Sequence, residues 1–410
     1  MRPSGKLTSE IPVKEPLLSF IVLSYNYEHY VPITLQSILD QTIEDFEVIV
    51  VDDASSDRSC EVVRGFNDPR VRLIVNDRNL GGAGSYNVAV QAARGEWLVN
   101  LDADDWIAPE KSVRQLRAAS QNSQLDIIGT WVSLVGPDGR PHPDASRIEP
   151  HWNADYPLNL VDTWIGKNYL CRSSTMVRRA AHLKIGLDDA GMVAAPDYEL
   201  WTRALANGCR FHLVKERLTF SRLHPRGVTR ANLLRSMLEI SFALQKNILP
   251  LIEKRGLWPC FAETLRWVGT NPDLAALPPR ERERLLAVLM TGAAIPTYAD
   301  FCAVLSQPDP ALETIGRRMM IAFAYARPVN VENALSLLST GTPATDALRD
   351  DNLVMVGKLH EPKSNSAQLN EETVRALAAE VWRERRRRWL PFKLWTETSR
   401  AWRRLTRKPT

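Results

Sequence analysis

Cysteine is scarce and scattered. The chain has five in 410 residues, Cys60, Cys171, Cys209, Cys260 and Cys302. An odd number at wide spacing fits neither a zinc site nor a disulfide framework, and points to free thiols in a reducing cytoplasm. No apolar run is long enough to span a bilayer. The first fifteen residues are polar and lack the apolar core of a signal peptide. Near the first predicted strands there is no G-x-G-x-x-G dinucleotide fingerprint and no G-K-[ST] phosphate loop. These absences set aside membrane-spanning, disulfide-stapled and zinc-module classes, and two common nucleotide-binding folds.

What remains has the make-up of a soluble globular protein, 44% hydrophobic and 24% charged, and is long enough for two or three domains. Its net charge of +4 hides an asymmetry. Residues 381–410 hold eleven Lys or Arg against two Glu, a local +9, which leaves −5 for the rest. A basic segment on an acidic body suggests contact with an anionic surface.

The stretch around which the chain is organised is Leu98-Val99-Asn100-Leu101-Asp102-Ala103-Asp104-Asp105-Trp106. A short apolar run reads as a buried strand, and this one ends in clustered carboxylates. In open α/β sheets, ligands sit at the carboxyl ends of strands. Packed carboxylates repel unless a cation joins them, and a hard divalent ion bridging to substrate phosphates suits oxygen ligands. A solvated acidic turn is the plainer alternative.

Upstream, Leu17–Ser24, Phe46–Val51 and Val71–Asn76 read as strands, the first two apolar enough for a parallel sheet buried on both faces. Helical spacing separates them at 30–41 and 60–66. Residues 79–84 (NLGGAG) read as a glycine-bearing loop opening a helix at 85–93; the loop either approaches phosphates or only turns the chain. Downstream come a helix at 109–119, a strand at 125–135, loops at 140–165, a helix opening at Asp197, and strands at 211–214 and 218–220. This alternation predicts an α/β fold with a mostly parallel sheet flanked by helices. From about 231 only helical periods remain. The expected organisation is a flexible N-terminus (1–16), an α/β domain (17–230), a helical domain (231–360), a linker and helix start (361–380) and a basic tail (381–410).

Several motifs in this order resemble an inverting family 2 glycosyltransferase with the GT-A fold. They are Ile21-Val22-Leu23-Ser24-Tyr25-Asn26, Gln41-Thr42, Val51-Asp52-Asp53-Ala54-Ser55-Ser56-Asp57, Asn79-Leu80-Gly81-Gly82, Leu101-Asp102-Ala103-Asp104-Asp105, Asp197-Tyr198-Glu199-Leu200-Trp201 and Arg222-Leu223-His224. The resemblance covers about half the chain, Ser19 to His224. It implies that Asp53 meets the nucleotide base beside Ser24, Tyr25 and Asn26. It places Asn79, Gly81, Gly82 and Asn87 on the donor side. Asp104 would hold Mn²⁺ or Mg²⁺, with His224 as a further metal ligand or phosphate donor; Asp102 would reach the ribose or sugar, and Arg222 the diphosphate. Asp105 stays open between a supporting and a capping role. Asp197 would be the catalytic base and a helix cap at once. The family usually carries two acids there, whereas this chain has Pro196-Asp197. Trp152, Trp164 and Trp201 could stack on sugars; Trp201 faces apolar neighbours, and Trp164 is the expected acceptor contact.

The implied activity is transfer of a sugar from a nucleotide-diphosphate sugar, UDP-linked, to a glycan or lipid-linked acceptor in surface polysaccharide synthesis. A metal-dependent nucleotidyltransferase and an inactive scaffold are the rival classes. In the tail, Trp382, Trp389, Trp395 and Trp402 recur at intervals of 7, 6 and 7 among Arg and Lys. That pattern suits a helix in an anionic membrane interface. A peripheral location on the inner face of the cell membrane is therefore expected, and no nucleic-acid partner.

Overall fold

The computed structural model describes residues 15–223, 232–251, 268–269, 271–291, 295–314 and 316–317. His224 and the tail at 381–410 lie outside them. The chain divides into two compact units, the first comprising 1–159 and 168–231, the second 160–167 and 232–410.

The first unit is built on one mixed sheet. In chain order its elements are β1 (Leu18–Ser24), α1 (Val31–Leu39), β2 (Phe46–Asp52), α2 (Ser59–Arg64), β3 (Val71–Val75), α3 (Gly81–Ala92), β4 (Trp97–Asp102), β5 (Trp106–Ile107), α4 (Lys111–Gln121), β6 (Ile127–Val135), α5 (Ala145–Trp152), β7 (Met176–Arg178), α6 (Arg179–Ile185), α7 (Pro196–Ala206) and β8 (Phe211–Arg222). The eight strands lie in the order β3-β2-β1-β4-β7-β6-β8-β5. Strands β1, β2, β3 and β4 pair in parallel, β7 is antiparallel to both its neighbours, and β6 runs parallel to β8.

The apolar runs of β1, β2 and β4 are buried almost throughout, because helices cover both faces of the sheet. From α1, Val31, Leu35 and Ile38 turn into this core. Register then places the functional ends of the strands: Ser24 stands beside Asp52, and Leu23 beside Asp102. Successive strands run outward from β1 to β3, and the order reverses at β4. The crevice between β1 and β4 is thus a switch point, where strand ends leave room for a ligand.

Three expectations about elements change. The glycine-bearing segment is not a free loop: α3 starts at Gly81. The stretch at 140–165 contains a helix, α5, with Pro150 inside it. The two short strands near the end are one strand, β8, whose register against β6 shifts around Trp131. In the second unit the described elements are helical, including α8 (Leu233–Ala243), α9 (Pro279–Thr291) and α10 (Tyr298–Ser306).

Candidate active site

The acidic turn after β4 is held from three sides. The Thr34 hydroxyl of α1 lies 2.8 Å from the carbonyl oxygen of Ala103 and 2.7 Å from that of Asp105. Gln41, at the end of the same helix, donates to the Ala108 carbonyl and accepts from the amide and hydroxyl of Ser112. From β8, the Arg222 amide donates to Asp105 Oδ1 at 2.7 Å, and its Nε donates to the Asp104 carbonyl at 2.9 Å.

The rest of Arg222 faces inward as well. Its guanidinium donates to the carbonyls of Gly136 and Pro137 and lies over the rings of Tyr30 and Trp106, at 4.5 and 5.0 Å. The expected diphosphate contact is therefore replaced by a positioning role: Arg222 fastens the acidic turn to β8. Asp105, which accepts the Arg222 amide, belongs to that framework.

Asp102 and Asp104 stand at the end of β4. Desolvation, then the neighbouring Asp104 charge, pushes the Asp102 carboxyl up to about 6. The same causes raise Asp105 well above the carboxylate range. Such mutual repulsion is what a bound cation relieves, and the donor set is all oxygen, so the turn fits Mn²⁺ or Mg²⁺. Among the described residues no three His, Cys, Asp or Glu side chains converge as a metal cage. A cation here would need further oxygen from water or from a bound diphosphate.

On the other side of the crevice, the Asp52-to-Asp57 segment stitches the end of β1 to that of β2. Asp52 accepts from the Ser55 amide and hydroxyl. Asn26, with φ of 59°, accepts from the Ser56 amide, and its own amide donates to Ser55 Oγ. Tyr25 remains 47% exposed at this rim, an open ring beside the crevice. The Ser24 hydroxyl is buried and has no hydrogen-bond partner among the described residues.

Asp53 accepts from Asn76 Nδ2 at 2.9 Å, the Leu80 amide at 2.7 Å and the Gly81 amide at 2.9 Å. Its negative charge at the N-terminus of α3 favours a helix start there. Three of about four acceptor positions on the carboxylate are taken, which leaves one for a ligand N–H. Gly81, with φ of +75°, lets the chain turn into the helix, and Asn79 Oδ1 also accepts from its amide. An added side chain at Gly82 would meet nothing within 4 Å, so this backbone is open to close approach.

Asn87 departs from its expected donor role. Its side chain grips the Asp188 backbone with two hydrogen bonds of 2.9 Å. That fixes Asp188, whose carboxylate takes a 2.6 Å ion pair from Arg172. The Arg172 guanidinium also lies 4.3 Å from the centre of the Tyr86 ring. Its positive charge opposes the upward shift of both Asp102 and Asp197. Arg172 escaped sequence analysis because it falls in an irregular stretch outside every quoted motif.

Asp197 lies in the first turn of α7, after Ala195 as cap and Pro196 at the start, so it is not itself the N-cap. Its Oδ1 accepts from the Tyr198 amide, and its Oδ2 accepts from Asn168 Nδ2 at 2.8 Å. Desolvation raises its pKa, with Arg172 and Asn168 pulling the other way. A raised carboxylate is a better proton acceptor once ionised. Trp164, the expected acceptor contact, is fully buried within the second unit and offers no face to a sugar. Trp201 is likewise fully buried, as its apolar neighbours suggested.

Comparison with known proteins accords with this geometry. Residues 19–186 match the family model described as Glycosyl transferase family 2. The succinoglycan biosynthesis protein ExoO of Rhizobium meliloti is 34% identical over 206 residues, which cover 48% of this chain and 58% of ExoO. The UDP-Glc:alpha-D-GlcNAc-diphosphoundecaprenol beta-1,3-glucosyltransferase WfgD of Escherichia coli is 42% identical over 126 residues, 29% of this chain and 49% of WfgD. The chain thus spans 58% and 49% of these two relatives. Among solved structures, S. aureus TarS 1–349 in complex with UDP gives a TM-score of 0.50 at 19% identity, covering 78% of this chain and 89% of that one. That likeness is one of fold, the GT-A fold. Residues 19–186 thus form a glycosyl transferase family 2 domain.

Proposed function

We propose that the protein is an inverting glycosyltransferase that moves a sugar from a UDP-linked donor to a hydroxyl of a glycan or lipid-linked acceptor in surface polysaccharide synthesis. The observation that carries this reading is the acidic turn. Asp102 and Asp104 stand at the switch point of the sheet, and Asp197 is near enough in the same cleft to perturb Asp102. Asp53 and the open backbone at Gly81 and Gly82 supply the nucleotide side. WfgD, by its name, uses UDP-glucose and a diphosphoundecaprenol-linked acceptor, which supports UDP and a lipid-linked glycan here.

Asp104 would hold Mn²⁺ or Mg²⁺, which when bound would offset charge on the leaving diphosphate. Asp102 would hydrogen-bond the ribose or sugar. Asp197 takes the proton from the acceptor hydroxyl as its oxygen bonds to the anomeric carbon and the bond to UDP breaks. Attack from the face opposite the leaving group inverts that carbon. Arg222, Thr34 and Gln41 keep the turn in place. No helix among the described residues is long and apolar enough to cross a membrane. The basic tail at 381–410 is proposed, from its sequence, to rest on anionic lipid at the inner membrane face.

The test is UDP release from a panel of UDP-sugars by the purified protein, with and without Mn²⁺. Metal-dependent release that Asp104→Asn removes is the expected result. No release from any of the panel would overturn the UDP-donor reading.

A further inference from the structure

With Trp164 buried, the acceptor side of the cleft needs another surface, and the first unit, which also holds Asp197, provides one. The ring of His151 lies 5.0 Å from that of Tyr169 and 5.4 Å from that of Trp152. Tyr156 packs on Tyr169 with ring centres 3.8 Å apart and planes tilted by 31°. Tyr169 is the buried floor; Trp152 and Tyr156 are partly exposed, and His151 is exposed. The group is joined to the catalytic carboxylate through one residue. His151 Nε2 is 2.8 Å from the Asn168 carbonyl, which can only accept, so Nε2 carries the proton and donates. The side chain of the same Asn168 donates to Asp197 Oδ2 at 2.8 Å.

The shelf is also held rigidly. Asn153, at the end of α5, pairs with the Val132 amide and carbonyl, both at 2.8 Å, as an added strand would. Glu149 accepts from the Leu134 amide and is ion-paired with Arg217. Asn159 repeats the strand-like grip on Phe211, with two bonds of 2.9 Å. An irregular segment between β6 and β7 is thereby fixed to the sheet at both ends. Such anchoring costs loop entropy that a merely connecting segment need not lose.

We infer that His151, Trp152 and Tyr156, carried on the buried Tyr169, form the subsite for the acceptor's sugar ring, which stacks on their exposed faces with its hydroxyl directed to Asp197. Aromatic faces suit the C–H side of a sugar, since they are apolar yet rigid. Asn168 ties the position of that stack to the orientation of the base. This assignment rests on the glycosyltransferase reading and names the acceptor surface within it.

The experiment uses the full-length protein with UDP and p-nitrophenyl glycosides of glucose, galactose and N-acetylglucosamine, in both anomers. Binding is read by saturation-transfer NMR, and UDP release from a UDP-sugar into water is measured in parallel. The expected result is that at least one glycoside binds, that Trp152→Ala and Tyr156→Ala weaken it at least tenfold, and that Tyr156→Phe retains it. UDP release into water is followed in each variant to show that the protein is still folded. Equal binding in wild type and alanine variants, or no glycoside bound by an enzyme that releases UDP, would overturn the subsite. Absence of UDP release from the wild type would instead overturn the reading on which the subsite rests. Loss of binding in Tyr156→Phe as well would show that a fold change, not a lost ring, is being read, and would count against the subsite.

Discussion

The side-chain amide of Asn168 donates to Oδ2 of Asp197 at 2.8 Å, while Oδ1 accepts from the amide of Tyr198. Both bonds favour the ionised carboxylate, against the desolvation that raises its pKa. Asp197→Asn removes the proposed proton acceptor and is expected to slow transfer by about 10²–10⁴-fold. UDP binding, measured by calorimetry, should change little. Asn168→Ala should shift the acidic limb of the kcat profile to higher pH, because the base gives up a bond that favours its charged form. A fully active Asp197→Asn enzyme would end the base assignment.

Arg172 and Asp188 form an ion pair at 2.6 Å whose side chains are 10% and 0% exposed. Removing one partner of a buried pair strands the other charge, at a cost of about 3–5 kcal/mol. Arg172→Met should therefore lower the denaturation midpoint strongly, and Arg172→Met with Asp188→Asn should recover part of the loss. If the double variant were no more stable than the single, the pair would not be the source of the cost. The surviving Arg172→Met enzyme should also titrate Asp197 at higher pH, since this cation opposes the shift.

The tail makes a separate prediction. Truncation after residue 380 removes the eleven cations and the four tryptophans of 381–410. Co-sedimentation with vesicles containing anionic lipid should fall steeply, and UDP release in solution should persist. Each basic residue near an anionic surface is worth about 1 kcal/mol, and the attraction is screened by salt. Full-length binding should accordingly weaken as salt rises. Unchanged vesicle binding by the truncated protein would falsify the interfacial tail.

Much of the first unit was legible because its signals are local. Apolar runs ending in Asp52-Asp53 and in Asp102 to Asp105 specify strands with acids at their carboxyl ends, and parallel pairing brings those ends to one rim. What escaped sequence analysis depends on partners remote in the chain. The start of α3 at Gly81 is set by Asp53, 28 positions earlier, whose carboxylate takes the first amides. Arg222 reads as a phosphate ligand until β8 pairs with β6 and brings it under the acidic turn, where backbone carbonyls occupy it. Helix α5 was masked by Pro150 inside it; its anchors are Glu149 and the capping Asn153, which grip β6. Trp164 could not be told from an exposed ring, because burial is a property of the packed unit.

Lys111 gives the last test. It is the first residue of α4 and fully buried, and its Nζ has no hydrogen-bond partner among the described residues. A cation is disfavoured at a helix N-terminus as well as in an apolar interior. Burial accordingly lowers its pKa to about 7, against about 10.4 in an unfolded chain. Below both values each state carries the proton, and the full cost of the buried charge is felt. Between them the unfolded state binds more protons, so this group's contribution makes stability rise with pH, by about 1.4 kcal/mol per unit at most. Above about 10.4 both states are neutral and the contribution is gone. Lys111→Met keeps a flexible stem of similar volume and removes the charge. It should stabilise the protein by a few kcal/mol, on the order of the pKa gap, at pH 6, and by much less at pH 9.5. Denaturant titrations of both proteins at the two pH values measure this. A stability difference independent of pH would mean that Lys111 reaches water or a counter-charge in the folded protein.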